Sequence, residues 1–166
     1  MGFIKKSKIT LFLENDKYLP GSQIKGSVSL SLNKPLKAKS LKVYLIGQKI
    51  IRQRMPKFGI GGFKARNSRI NEAKYIFFNQ VIQLAGEEEY SNQSYSFEIK
   101  IPDDILDISK QFIQKELSAD AYEFLQSAKA KEMLDWDEKD RWFVEARLSI
   151  PFKRDLKQKK EIQLIT

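Results

Sequence analysis

The stretch Tyr18-Leu19-Pro20-Gly21-Ser22-Gln23-Ile24-Lys25-Gly26-Ser27-Val28 confines this chain more than any other segment. Pro20-Gly21 makes a tight corner, and the chain leaves it in strict alternation. From Ile24 to Leu32 the even positions are Ile24, Gly26, Val28, Leu30 and Leu32, and the odd ones are Lys25, Ser27, Ser29 and Ser31. A period of two means a strand with one face in a core and the other in water. Gly26 falls in the inward row, so something bulky is expected to pack into the space it leaves.

The same period recurs along the chain. Ile9, Leu11 and Leu13 alternate with polar neighbours, as do Leu41, Val43, Leu45 and Gly47 after the link Lys34-Pro35-Leu36-Lys37. Residues 75–84 are apolar on both sides, which suits a strand covered on both faces. Tyr95, Phe97, Ile99 and Ile101 form another strand, stopped at Pro102 because proline has no amide donor for a ladder. Trp142, Val144, Ala146, Leu148 and Ile150 make a long strand. A polar turn over Lys153–Lys160 then leads to a last strand with Ile162 and Leu164. Short strands with turn signals at this spacing predict an all-β, immunoglobulin-like antiparallel β-sandwich of about seven to eight strands.

Between Pro102 and Trp142 the period changes. Ile105, Ile108, Phe112, Ile113 and Leu117 recur at three to five residues, behind Asp103, Asp104 and Asp107, whose charge suits a helix N-terminus. A first helix is expected over 104–117. Ser118 or Asp120 can cap a second, with Tyr122, Leu125, Ala128 and Met133 as its apolar stripe. The expected organisation is one domain over 1–166 with a two-helix insertion at 103–136, near residues 104–135. The pair either covers the sandwich or offers a docking surface.

Composition removes most enzyme chemistry. The 166 residues include no cysteine and no histidine, which excludes disulfides, thiolate nucleophiles, ordinary zinc sites and imidazole acid–base catalysis. No carboxylate pair stands at a convincing spacing, so the expectation is a protein that is not an enzyme and uses no cofactor or metal. Asp135, Asp137, Glu138 and Asp140 do not make a calcium loop. Lys139 and Asp140 stand where that loop needs a ligand and a glycine, and Ala146 where it needs its closing glutamate. A solvated helix-to-strand turn is the expectation there. No secretory leader or apolar span is recognisable, and the expected setting is the cytoplasm.

Charge is unevenly spread. Residues 1–70 carry sixteen Lys and Arg against Glu14 and Asp16, a net of +14; residues 71–140 net −9 and residues 141–166 net +4, within a total of +9. Segments of opposite sign either pair as solvated faces or become opposed surfaces.

Taken in order, these strands resemble the N-terminal domain of the arrestin-fold proteins. That superfamily includes the arrestins, the arrestin-domain trafficking adaptors, the retromer subunit built on this fold and the sporulation-control proteins of bacteria. The resemblance rests on Tyr18-x-Pro20-Gly21 with Ile24-x-Gly26-x-Val28, on Leu41–Gly47, on Tyr95–Pro102 and on Trp142–Leu148. Phe3–Lys6 followed by Lys8–Leu13 is similar to the first strand of the arrestins proper, where a lysine pair meets receptor phosphates. The chain departs from them where the two helices replace a Pro-x-Ser-type loop and where Asp16 replaces an arginine of their charged core. The sequence to Thr166 leaves no residues for a second sandwich, so the two-domain activation switch of the arrestins is not expected. The resemblance therefore implies a non-enzymatic adaptor or scaffold, of trafficking or signalling type, rather than receptor desensitisation.

Two places are candidate partner sites. Lys5, Lys6 and Lys8, with Lys25, Lys42 and Lys49 nearby, form a patch for acidic or phosphorylated peptide segments. The loop Arg52–Arg69 brings glycines together with Arg54, Lys57, Phe58, Ile60, Phe63, Lys64 and Arg66, a composition able to meet a partner or an anionic membrane. It lacks the Gly-Lys-Ser/Thr ending of a nucleotide loop. Strand addition at a sheet edge, homodimerisation included, is the other route to a protein partner. Membrane or nucleic-acid binding through the basic N-terminal segment is the alternative function, with no specific nucleic-acid signature behind it.

Overall fold

In the computed structural model, which describes residues 6–54, 70–116 and 136–165, Leu19–Ser22 closes as a type II turn. Ser22 N donates to Leu19 O at 3.1 Å and Gly21 has φ 81°, the left-handed value that position requires. The turn feeds the central strand of a three-stranded sheet. There β3 (Gln23–Ser31) lies between β1 (Lys8–Leu13) and β8 (Ser94–Lys100), all antiparallel. Gly26 stands opposite Phe97, and a Cβ on Gly26 would lie 2.3 Å from Phe12 O and 2.8 Å from Phe97 Cζ. The bulky group that the glycine admits is the Phe97 ring.

A five-stranded sheet, ordered β2-β10-β9-β5-β6, closes the sandwich. Its members are β2 (Lys17–Tyr18), β5 (Ser40–Arg54), β6 (Ile70–Ala85), β9 (Trp136–Ser149) and β10 (Leu156–Leu164). Among the described residues only the β2–β10 pair is parallel. The inward rows Ile9/Leu11, Ile24/Val28/Leu30, Leu41/Val43/Leu45 and Val144/Ala146/Leu148 make one buried core. A short ribbon of β4 (Leu36–Ala38) and β7 (Glu88–Tyr90) shuts one end, with Tyr90 buried and its hydroxyl donating to Gly86 O at 2.6 Å. Seven of the ten strands among the described residues have six or more residues, so the all-β sandwich is as expected and β2, β4 and β7 are short additions.

The large sheet outruns the small one. Past Gly47 the β5–β6 register shifts, Gly47 facing Phe78 and Gln48 facing Ile76, so that Phe77 is the extra residue of a bulge. A Cβ on Gly47 would meet Trp142 Cζ3 at 2.6 Å and Phe77 Cζ at 2.8 Å; those two rings pack edge to face at 5.2 Å. Beyond this point α1 (Ile105–Glu116) roofs the inner face, with Phe112 against both Tyr75 and Phe77 at 6.1 Å. This is the first expected helix; the second lies outside the described residues.

Three local expectations change. Among the described residues β6 is an edge strand covered on one face, and Ile76 is 62% exposed on the other. β10 begins at Leu156, so most of the supposed polar turn is strand. β9 begins at Trp136, so Asp137, Glu138 and Asp140 lie in a strand rather than a solvated turn.

Gly26→Ala is expected to lower stability by about 1–3 kcal/mol, because backbone and ring both stand in the way, whereas Ser27→Ala on the outer face stays within about 0.5 kcal/mol. Urea unfolding measures both. Burial pushes the Tyr90 hydroxyl up to about 12 from 10.0. The neutral phenol is the form the fold favours, so its stability contribution is whole below pH 10 and fades as pH climbs through about 12. Denaturation curves for Tyr90→Phe should lack that part of the alkaline slope.

Candidate partner-binding surface

The cationic residues singled out by the sequence do not form one patch. Lys8 stands opposite Ser31 at one end of the small sheet. Lys25 stands six residues down the same strand, roughly 20 Å away. There it faces Glu98 at 3.8 Å in an exposed pair that adds little. Lys6 is exposed just before β1. Between the two ends the outer face carries short hydroxyls, Thr10, Ser27, Ser29, Ser94 and Ser96, around the exposed Phe12. Arg54 ends β5 opposite Ile70. Lys5, Lys57, Phe58, Ile60, Phe63, Lys64 and Arg66 lie outside the described residues.

The outer face of the large sheet is where cations do gather. Lys157 of β10, Arg147 of β9 and Lys42 of β5 form one cross-strand row, three positive side chains on three adjacent strands. The next row is Lys159, Glu145 and Tyr44, and the one after it Glu161, Phe143 and Ile46. Arg147 donates from Nε (3.1 Å) and Nη2 (2.5 Å) to Glu145 Oε1 and lies 5.0 Å over the Tyr44 ring. That hydrogen bonding pushes its guanidinium pKa further up. Arg141 grips Glu161 through two parallel bonds of 2.9 and 2.7 Å, which hold that carboxyl below the usual carboxylate range. Phe143 points away from the core yet is only 7% exposed, because Arg141 (5.2 Å) and Lys159 (4.5 Å) lie over its ring. Among the described residues Lys42 and Lys157 make no ion pair.

Of Lys42, Arg147, Lys157 and Lys159, the sequence singles out Lys42 alone. Arg147, Lys157 and Lys159 alternate along their strands as outward residues should. Bringing them beside Lys42 takes the β5–β9 pairing of residues about a hundred positions apart.

Lys49 is not on the surface at all. It is 2% exposed under α1, where Nζ donates to Glu138 Oε1 at 2.5 Å and to Ser109 Oγ at 2.9 Å, while Ser109 Oγ donates to Asp140 Oδ2. Asp140 Oδ1 is 2.9 Å from Nζ but accepts no aligned hydrogen bond, so that contact is Coulombic. The core-facing phase of β5 explains the burial: Lys49 continues the row Leu45, Gly47. A serine and a lysine in contact invite a hydrolase reading, which the geometry rejects. Ser109 is 3% exposed, and a Nζ that donates to its hydroxyl cannot take that hydroxyl's proton.

No family model and no curated protein matches the chain. Among solved structures it is similar to Spo0M, a sporulation control protein from Bacillus subtilis, at 17% identity with a TM-score of 0.44. The match covers 98% of this chain and 51% of that one, so this chain spans about half the length of Spo0M.

Removing only the lysine of the buried cluster leaves two carboxylates facing each other, so Lys49→Met is expected to destabilise by about 3–5 kcal/mol. Adding Glu138→Gln and Asp140→Asn should recover most of that loss in the same urea titration.

Proposed function

We propose that this chain is a non-enzymatic adaptor or scaffold domain that holds acidic segments of protein partners, phosphorylated ones included, against the outer face of its five-stranded sheet. The observation that carries this reading is the row Lys42, Arg147, Lys157, continued by Lys159, in which Glu145 pairs with Arg147 and Asp155 adds a weaker negative influence at the turn end. Like charges directly opposite one another on neighbouring strands destabilise a sheet, and an anion laid across them reverses the sign of that interaction. Neighbouring strands are about 4.8 Å apart, so two carboxylates or one phosphate of an extended segment reach two cations at once. Arg147 and Lys159 are already ordered on the Tyr44 and Phe143 rings, which lowers the entropy lost on binding. The ordered arrestin-type motifs agree with an adaptor of the trafficking or signalling kind working in the cytoplasm.

A second mode is favoured by β6. It is sixteen residues long, has no further strand beside it among the described residues, and exposes Ile76 and Val81. Such an edge accepts an added strand, from a partner or from a second copy. The β1 edge of the small sheet, on the β10 side, is better guarded: Gln158 Oε1 accepts the Leu11 N–H.

Fluorescence polarisation with a labelled acidic phosphopeptide tests the sheet-face reading. Lys42→Glu combined with Lys157→Glu should weaken binding by about tenfold or more, while Lys25→Glu on the small sheet leaves it within about twofold. Equal affinities for the double variant and the parent protein would remove this face as the site. A loss of affinity with salt as steep for the peptide as for random DNA would favour non-specific polyanion binding instead.

A further inference from the structure

Six residues, 150–155, turn β9 into β10, and Phe152 stands at their tip with φ 58°. A bulky L-residue is strained in that left-handed region, where glycine is free. The ring is also 108% exposed, so it projects clear of the protein and packs on nothing. Two unfavourable features thus coincide at one side chain with no return to the fold. The turn is nonetheless held in place: Ile150 N donates to Asp155 Oδ1 at 3.1 Å, and Lys39 N donates to Ser149 O at 2.8 Å.

Cations share this end of the sandwich. Lys153 and Arg154 follow the ring and are exposed. β1 runs beside β10 in the same direction, with Leu11 at Gln158 and the segment Leu13–Asp16 at Lys160 and Glu161, so Lys6 and Lys8 lie level with the turn. Asn33 N donates to Ser7 Oγ at 3.1 Å, which brings the exposed Lys34 alongside. The opposite flank is acidic. Glu87, Glu88 and Glu89 line a shallow depression with Pro151 and Lys37, next to the β5–β6 side of the large sheet.

We propose that the β9–β10 turn docks this domain on an anionic lipid bilayer. Phe152 enters the acyl boundary, Lys153, Arg154, Lys6, Lys8 and Lys34 meet the headgroups, and the glutamate flank sets a tilt that lifts the β6 side away. A convex tip without a surrounding groove suits a bilayer, which needs no shape complement, better than a protein pocket. The charge arrangement is that of a peripheral contact, one apolar anchor beside clustered cations. The site is separate from the cation row of the sheet face, so either proposal survives the loss of the other.

Co-sedimentation with phosphatidylcholine vesicles, with and without phosphatidylserine, tests this on the full chain. The protein should bind the anionic vesicles and not the neutral ones. Phe152→Gly should weaken binding by about tenfold or more, through loss of the buried ring, while its thermal stability holds or rises because glycine relieves the backbone. Lys153→Glu and Arg154→Glu should each weaken it by about fivefold or more. Phe152→Trp should show a blue-shifted emission on anionic vesicles. The proposal is overturned by a parent protein that ignores anionic vesicles, by Phe152→Gly binding as tightly as the parent, or by a tryptophan emission unchanged on the vesicles. Phosphopeptide affinity, measured on Phe152→Gly in parallel, should be unaltered; a matching loss there would mean that the tip serves the peptide and not the lipid.

Discussion

Two sheets of unequal length cannot cover each other completely, and much of this structure follows from how the surplus is closed. β5, β6 and β9 continue past the last inward residue that the small sheet can meet. Gly47 marks the limit, since only a residue without a side chain lets the Trp142 and Phe77 rings close over the strand. Past it the inner face would lie in water, and α1 is the cover. A roof held by apolar area alone can slide by a turn. Lys49 changes that: buried, it must keep Glu138 and Ser109 as hydrogen-bond partners, and Ser109 belongs to the helix. A buried cation tied to one serine therefore fixes the helix in a single register, the use for which buried ionic groups are best attested.

The two outer faces differ as a result of what lies beneath them and beside them. Between its ends the small sheet is faced with serine and threonine around the exposed Phe12, with Lys8 at one end and the Lys25–Glu98 pair at the other. The large sheet is faced with arginine and lysine whose stems lie flat over Phe143 and Tyr44. Phe143 occupies a solvent-facing position and is still buried, by cations rather than by another layer of protein. Such cations are desolvated on one side and restricted in rotation, so an anion meets them partly organised. This contrast, more than the net charge of the chain, is what singles out one face as the proposed place for acidic partners.

Where the period of two survived in the residues, the fold could be read. β1, β3, β8 and the later part of β9 each show apolar side chains at every second position, and a slip of one residue would invert all of them. Pro20-Gly21 and Gly26 were legible because each has a local cause, a left-handed corner and a facing ring. The last part of β10, with Ile162 and Leu164, was legible too, but its first part was not, since the core-phase position there is Gln158, which serves an edge amide of β1, and lysines surround it. Lys49 keeps the inward phase of Leu45 and Gly47, but nothing near it in sequence shows the partners that make a buried lysine tolerable. Its carboxylates lie about ninety residues away, and only the register of β5 against β9 brings them opposite. The cation row is hidden for the same reason, being assembled from three strands. Phe152 could not be found from its neighbours, because a phenylalanine after a proline in a polar turn carries no sign of its φ or of its exposure.

Both proposed sites belong to the β9–β10 hairpin, and their separation decides whether they interfere. Arg147 and Lys157 each stand five residues from Phe152. At about 3.3 Å per residue along the strand, with the turn projecting beyond it, the row lies roughly 15 Å from the tip. At physiological ionic strength the screening length is about 8 Å, so headgroups at the tip neither neutralise the row nor strongly repel an acidic peptide bound there. The hairpin thus has the reach to rest its end on a bilayer while its side stays available. Its stiffness supports the same division, since β9 is hydrogen-bonded on both flanks and β10 is bonded to β9 from Leu156 to Ile162. A domain docked in this way would present the cation row sideways, parallel to the membrane surface, within reach of the juxtamembrane segment of a membrane protein.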